Sequence, residues 1–188
     1  MKTIKNFLIL FMTIGLITSC SDDDPAPVNE EEVITTMRIT FTPQGGGAPV
    51  IFQSQDLDGD GPANPVISIS GQLVTGTTYN GSVTILNELE NPAEDITVEI
   101  MEEDEEHQFF YQLTGGAGPT IGYNDMDANG NPVGLNVILT TGQTNTINVL
   151  TVTLRHEPNK DAAGVSDGDI TNAGGETDIE VVFNFTIQ

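Results

Sequence analysis

The sequence predicts an all-β domain, a single antiparallel β-sandwich of about nine strands. Short apolar segments alternate with polar residues at period two, which is typical of strands that bury one face. These segments are bounded by Gly, Pro, Asn or Asp, and beyond residue 20 no stretch keeps an apolar stripe of helical period between helix caps. Regularly spaced short strands separated by turn residues favour a sandwich.

The first and last predicted strands show the alternation most clearly. In the first strand, Val33, Thr35, Met37, Ile39 and Phe41 alternate with Ile34, Thr36, Arg38, Thr40 and Thr42, and a Pro-Gln-Gly-Gly-Gly turn follows. The strands expected between the first and the last are 50–55, 66–70, 78–86, 96–101, 108–113, 133–140 and 146–155. The last strand, 179–187, places Ile179, Val181, Phe183, Phe185 and Ile187 on one side. We expect this side to cover the core from one sheet.

The segment from Leu73 to Val83 carries a more specific pattern around Tyr79. Its Leu-x-x-Gly-Thr-Thr-Tyr-x-Gly-x-Val order resembles the corner before a late strand in fibronectin type III and related immunoglobulin-like domains. There a tyrosine hydroxyl bonds back to nearby backbone and holds the corner. The resemblance implies an immunoglobulin-like sandwich for residues 33–188 and a structural role for Tyr79, with ligand stacking as the alternative role.

The N-terminal segment predicts an export signal. Lys2 and Lys5 precede an uncharged, mostly apolar run at 7–18, which is shorter than the roughly 20 residues of a membrane span and typical of a secretory signal. The run ends in Ile17-Thr18-Ser19-Cys20, which resembles the lipobox of bacterial lipoproteins. The resemblance implies a signal peptide at 1–19 and a lipid anchor on Cys20, the one cysteine of the chain.

An acidic stretch follows the cysteine at once. Ser21, Asp22, Asp23 and Asp24 resemble the export signal found after the lipidated cysteine of Bacteroidota lipoproteins. This resemblance implies an outer-membrane lipoprotein that faces the cell surface, and the alternative orientation faces the periplasm. Residues 20–32 are acidic, contain two prolines and predict a flexible tether.

The charge of the chain and the absence of catalytic motifs limit the functions that the sequence allows. Without the two lysines of the signal, 28 acidic residues stand against three basic ones, a net charge of −25. Nucleic acid is therefore not expected as a partner, because binding it requires Lys and Arg to neutralise phosphates. Self-repulsion at such a charge favours bound cations. The sequence has no H-E-x-x-H, G-x-S-x-G, P-loop or G-x-G-x-x-G motif, which favours a non-catalytic protein.

Two Asp-rich loops predict calcium ligands. The candidate ligands are Asp56, Asp58 and Asp60 in the first loop and Asp125, Asp127 and Asn129 in the second. Each loop has oxygen-bearing side chains at positions one, three and five and a glycine at position six, as a Ca²⁺ loop requires. Position twelve is Ile67 in the first loop and Asn136 in the second, whereas an EF-hand has a bidentate Glu there. Each loop is therefore either a calcium turn between strands or a plain Asp/Gly turn.

His107 and His156 are the two histidines. If the fold brings them together, they could bind zinc or copper with Glu106 or Glu157, since transition metals favour imidazole ligands. Their spacing alone does not require such a site. The alternative interpretation is structural: the two histidines lie apart, and each is on the surface or hydrogen-bonded.

Several stretches together resemble a group of small acidic surface lipoproteins of Bacteroidota (flavobacterial type), whose function is unassigned. They are residues 30–36, the 56–61 loop, 91–96, 106–110, 154–160 and 175–181. The hypothesis with most support is a non-catalytic lipoprotein, stabilised by calcium, that serves as a binding or accessory module for an outer-membrane receptor or transporter. The alternative is a protein that captures zinc or copper through His107 and His156 and feeds an uptake system.

Overall fold

Two antiparallel sheets with a shared core make up the fold. A computed structural model describes residues 32–59, 61–115, 118–142 and 147–188, all within one unit. The strands are β1 (Thr36–Pro43), β2 (Val50–Gln55), β3 (Val66–Ile69), β4 (Thr78–Asn87), β5 (Glu94–Asp95), β6 (His107–Gly115), β7 (Thr120–Tyr123), β8 (Asn136–Thr140), β9 (Ile147–His156) and β10 (Glu176–Thr186). One α-helix, α1 (Ile96–Glu102), and two 3₁₀ helices, Val165–Asp167 and Ile170–Asn172, complete the described part.

The larger sheet has the strand order β3-β2-β1-β4-β8-β7, with β5 paired to β4, and the smaller has the order β10-β9-β6. Every pair of neighbouring strands is antiparallel. The predicted all-β, antiparallel sandwich is confirmed. The immunoglobulin-like assignment stays a prediction.

Aromatic side chains join the two sheets at the centre of the core. Phe52 of β2 packs edge-on against Phe41 of β1, with ring centroids 5.2 Å apart. The same ring lies 5.4 Å from Phe183 and from Phe185 of β10 in the other sheet. The alternation predicted for the first and last strands is confirmed, since their core-facing residues from Met37 and from Val181 onward are buried. Burying apolar area of this kind is the main force that holds two sheets together.

The corner predicted around Tyr79 is present. Tyr79 is buried, and its hydroxyl oxygen accepts a hydrogen bond of 2.8 Å from the backbone N–H of Val74. The next residue back, Leu73, pairs with Ile187 just after the last strand. Tyr79 therefore holds the chain where it crosses to the end of the other sheet, and its role is structural.

The strand predicted at 96–101 is wrong, because this segment forms helix α1. Asp95 caps the helix by accepting the N–H of Thr97 at 3.2 Å, and Ile96 and Ile100, one turn apart, are both buried. The Thr97 hydroxyl also bonds the backbone of Ile85 in β4, which ties the helix to the sheet. The β-branched run that suggested a strand is overridden by the cap and by this packing.

The chain between β9 and β10 covers the outer face of the smaller sheet. Phe110, Val165 and Ala173 are fully buried there in a second, small apolar cluster. Among the residues that the structure describes, no helix has both the length and the apolar character needed to span a bilayer.

Candidate metal site

The register of β6 and β9 brings the two histidines together. His107, the first residue of β6, lies opposite His156, the last residue of β9. Their rings stack with centroids 4.6 Å apart and planes 10° from parallel. Residues opposite each other in an antiparallel pair share one face, so the side chains of such a pair touch. The two histidines are therefore adjacent, and we call them the histidine pair. Stacked rings do not direct their in-plane lone pairs at one ion, and each ring belongs to a separate group of potential ligands, so a single site shared by both histidines is not formed here.

One side of the histidine pair is open to solvent. Nε2 of His156 lies 3.9 Å from Oε2 of Glu106, and Glu157 completes a group whose potential ligand atoms all lie within 4.8 Å of one another. We call Glu106, His156 and Glu157 the outer triad. The N–H of Glu157 donates to the carbonyl of Glu106 at 2.6 Å, and Glu157 has a positive φ of 50°. This bond keeps the backbones of Glu106 and Glu157 next to each other.

The other side of the histidine pair is buried. His107 is 1% exposed, and its Nδ1 lies 3.1 Å from the carbonyl oxygen of Glu103. Its Nε2 faces Oε1 of Glu32 at 3.8 Å. Burial lowers the pKa of His107 and outweighs the hydrogen bond to Glu103, which raises it. The imidazole is therefore favoured in its neutral, metal-binding form.

Glu32 and Glu103 are candidate ligands that the sequence did not indicate. Glu32 was assigned to the tether, and Glu103 lies within five consecutive acidic residues, a run that is usually solvated. The structure places Glu32, Glu103 and His107 in a second group of potential ligands within 4.8 Å of one another. The i, i+4 spacing of Glu103 and His107 was the one available signal, whereas nothing in the sequence indicates that Glu32 packs against them.

The first Asp-rich loop forms a turn after β2. The carboxylate of Asp58 accepts the N–H of Ala63 at 3.1 Å, and its carbonyl accepts the N–H of Gly61 at 3.0 Å. Asp60 lies outside the described residues. Within the described part of the chain, neither Asp56 nor Asp58 belongs to a group of three potential ligands. Calcium at this loop stays a prediction.

The second Asp-rich loop is held by hydrogen bonds inside the chain. Asp125 accepts the N–H groups of Gly134 and Asn136, at 2.8 and 2.7 Å. Asp127 accepts the N–H groups of Asn129 and Asn131, at 3.0 and 2.8 Å, while the side chain of Asn129 lies in the exposed part of the turn.

Lys160 supplies a positive charge to this second loop. Its ammonium lies 2.9 Å from Oδ2 of Asp127 and also donates to the carbonyl of Asp104, with both charged side chains buried. A calcium ion bound to Asp127 would have to displace this lysine. Calcium at the second loop also stays a prediction.

A cleft of about 370 Å³ lies beside the buried group. Glu32, Asp56, Glu176, Asp178 and Glu180 contribute acidic side chains to its wall. A strongly negative cleft raises the local concentration of cations. Glu32 belongs both to this wall and to the group around His107, so the cleft borders that group.

The predicted lipidation site and export signal, Cys20 and Ser21 to Asp24, lie outside the described residues. No family model, no curated protein and no solved structure matches this chain.

Proposed function

We propose that this protein is a non-catalytic surface lipoprotein that captures a transition-metal ion of the zinc or copper class for an outer-membrane receptor or transporter. The observation that supports it most is the outer triad, in which an imidazole and two carboxylates converge beside the stacked ring of His107. Imidazole selects zinc or copper over calcium, which prefers oxygen ligands alone.

The exposure of the outer triad suits capture and release. Glu106 and Glu157 are exposed and His156 is partly exposed, so an ion can enter and leave without unfolding the domain. Three protein ligands leave a fourth position on zinc for water or for a ligand from the partner that accepts the ion. The negative charge of the domain would draw cations towards the triad.

The lipid anchor and the cell-surface location complete this proposal and rest on the sequence around Cys20. A calcium-stabilised accessory module is the second candidate. It depends on the loop from Asp56 to Asp60, and the titration described next separates it from metal capture.

Calorimetric titration of the full chain in detergent with Zn²⁺ tests the proposal. We expect saturable binding, and we expect His156→Ala to weaken the exposed site at least about tenfold, as loss of a ligand or its support does in zinc sites. Asp58→Asn is the matched control, because it alters the first Asp-rich loop and should leave zinc binding unchanged. Binding of Ca²⁺ that Asp58→Asn abolishes, together with zinc binding that His156→Ala leaves intact, would contradict metal capture at the triad.

A further inference from the structure

We propose that Glu32, Glu103 and His107 form a second, buried transition-metal site, separate from the outer triad. These residues come from three segments: the chain just before β1, the turn after α1 and the first position of β6. Each offers a ligand atom within 4.8 Å of the other two. The inference does not depend on the outer triad, since the two groups share no residue.

The protonation of His107 is fixed by the backbone. A carbonyl oxygen can only accept, so the contact of 3.1 Å with the Glu103 carbonyl places the proton on Nδ1. In the neutral ring the lone pair is then on Nε2. Metal-binding histidines are held in this way, with the other ring nitrogen donating to a carbonyl or a carboxylate.

Nε2 of His107 has no hydrogen-bond partner, although it is buried. Almost all buried polar atoms in proteins are hydrogen-bonded, so one that is not requires an explanation. The ring is 1% exposed, and Nε2 points towards Oε1 of Glu32 at 3.8 Å, a distance too long for a hydrogen bond. A metal ion between these two atoms would satisfy the lone pair.

Glu32, which faces Nε2 of His107, also has a buried polar atom that lacks a hydrogen bond. This atom is Oε2. The carboxylates of Glu99, Asp178, Glu103 and Glu94 are close enough to repel the negative charge of Glu32. A divalent cation would neutralise this cluster and remove the repulsion between its carboxylates.

The distance and the donors fit zinc. Zn–N and Zn–O bonds are about 2.0–2.2 Å long, so two ligand atoms 3.8 Å apart are within reach of one ion. One nitrogen and two carboxylate ligands resemble the donor set of zinc more than that of calcium. Because Glu32 also lines the acidic cleft, water can supply a fourth ligand from that side.

An ion here would join the start of the domain to the α1–β6 turn. Glu32 precedes β1 in the larger sheet, whereas His107 begins β6 in the smaller sheet. Binding to the folded state alone stabilises it by mass action. The buried site is therefore expected to raise the melting temperature, and variants of its own ligands are expected to lose that rise.

Thermal unfolding of the full chain in detergent, followed by circular dichroism with and without Zn²⁺, tests this site. His107 is part of the packed interior, so His107→Ala would disturb folding as well as binding. Glu32→Gln and Glu103→Gln keep the size of each side chain and are the main variants. Glu105→Gln, in the same turn but outside the group, is the matched control. We expect Zn²⁺ to raise the melting temperature of the unaltered chain, of Glu105→Gln and of His156→Ala.

We expect Glu32→Gln and Glu103→Gln to lose most of this rise and to bind zinc at least about tenfold more weakly at the tighter of two sites. An equal rise in Glu32→Gln and the unaltered chain, or no rise in any of them, would overturn the inference. Zinc binding that is lost in His156→Ala but unchanged in Glu32→Gln would overturn the buried site and leave the proposed function standing. Zinc binding that is lost in Glu32→Gln but unchanged in His156→Ala would support the buried site and overturn metal capture at the outer triad.

Discussion

Lys160→Met is expected to lower the free energy of unfolding by about 3 kcal/mol, because it leaves the charge of Asp127 buried without its cation. For a domain of this size the melting temperature should fall by about 6–12 °C. Lys160 also donates to the carbonyl of Asp104, and Met cannot replace that bond. Chemical denaturation monitored by circular dichroism measures the loss.

The double variant Asp127→Asn, Lys160→Met is the control for this effect. Asparagine carries no charge, so the double variant should recover part of the stability that Lys160→Met loses. A loss of less than about 1 kcal/mol in Lys160→Met, the range of an exposed ion pair, would contradict the assignment of a buried pair.

The loss of stability caused by Lys160→Met should become smaller as the pH is lowered. Burial opposes the ionisation of Asp127, but hydrogen bonds from Lys160, Asn131 and Asn129 outweigh it and hold the pKa of Asp127 below its ordinary value of 3.8. A carboxyl whose pKa is lowered by folding contributes stability above its unfolded pKa and loses it as the pH falls through the folded pKa. The difference between the two proteins should therefore be full at neutral pH and shrink under strongly acidic conditions.

Cys20→Ser is expected to abolish lipidation altogether, since serine has no thiol to carry the lipid. The altered chain should no longer incorporate labelled fatty acid, and it should lose stable association with outer membranes, which requires more than one acyl chain. Ser21→Ala is the control and should retain the label. Incorporation of fatty acid by Cys20→Ser would contradict the proposed anchor.

The acidic residues after the cysteine should decide the orientation. Replacing Asp22, Asp23 and Asp24 by Asn together should leave lipidation intact but protect the domain from protease added to intact cells. Protection of the unaltered protein as well would place the domain in the periplasm.

The fold was predictable where one strand carries its own signal. The alternation in β1 and β10 and the corner at Tyr79 depend on neighbouring residues, and the structure confirms them. Helix α1 was missed because its cap and its contact with β4 outweigh a β-branched sequence. Strand β7 was missed because it is short and contains Gly122, which weakens any strand signal.

The candidate site was predictable only in part. Histidine as a transition-metal ligand follows from its chemistry, but the stacking of His107 on His156 depends on the register of β6 and β9, which the sequence does not specify. Lys160 reaches Asp127 across 33 positions, and no local pattern predicts that pair. Glu32 was assigned to the tether because acidic, proline-containing segments are usually solvated, and only the fold places it beside His107.

Anomalous diffraction at the zinc edge from crystals of the zinc-loaded full chain tests the central claim, binding at the histidine pair, most directly. We expect two peaks: one about 2.0–2.2 Å from Nε2 of His107, and one at the same distance from a ring nitrogen of His156. Data collected from crystals grown without zinc provide the control. No peak within bonding distance of either histidine, or peaks confined to the two Asp-rich loops, would contradict the account.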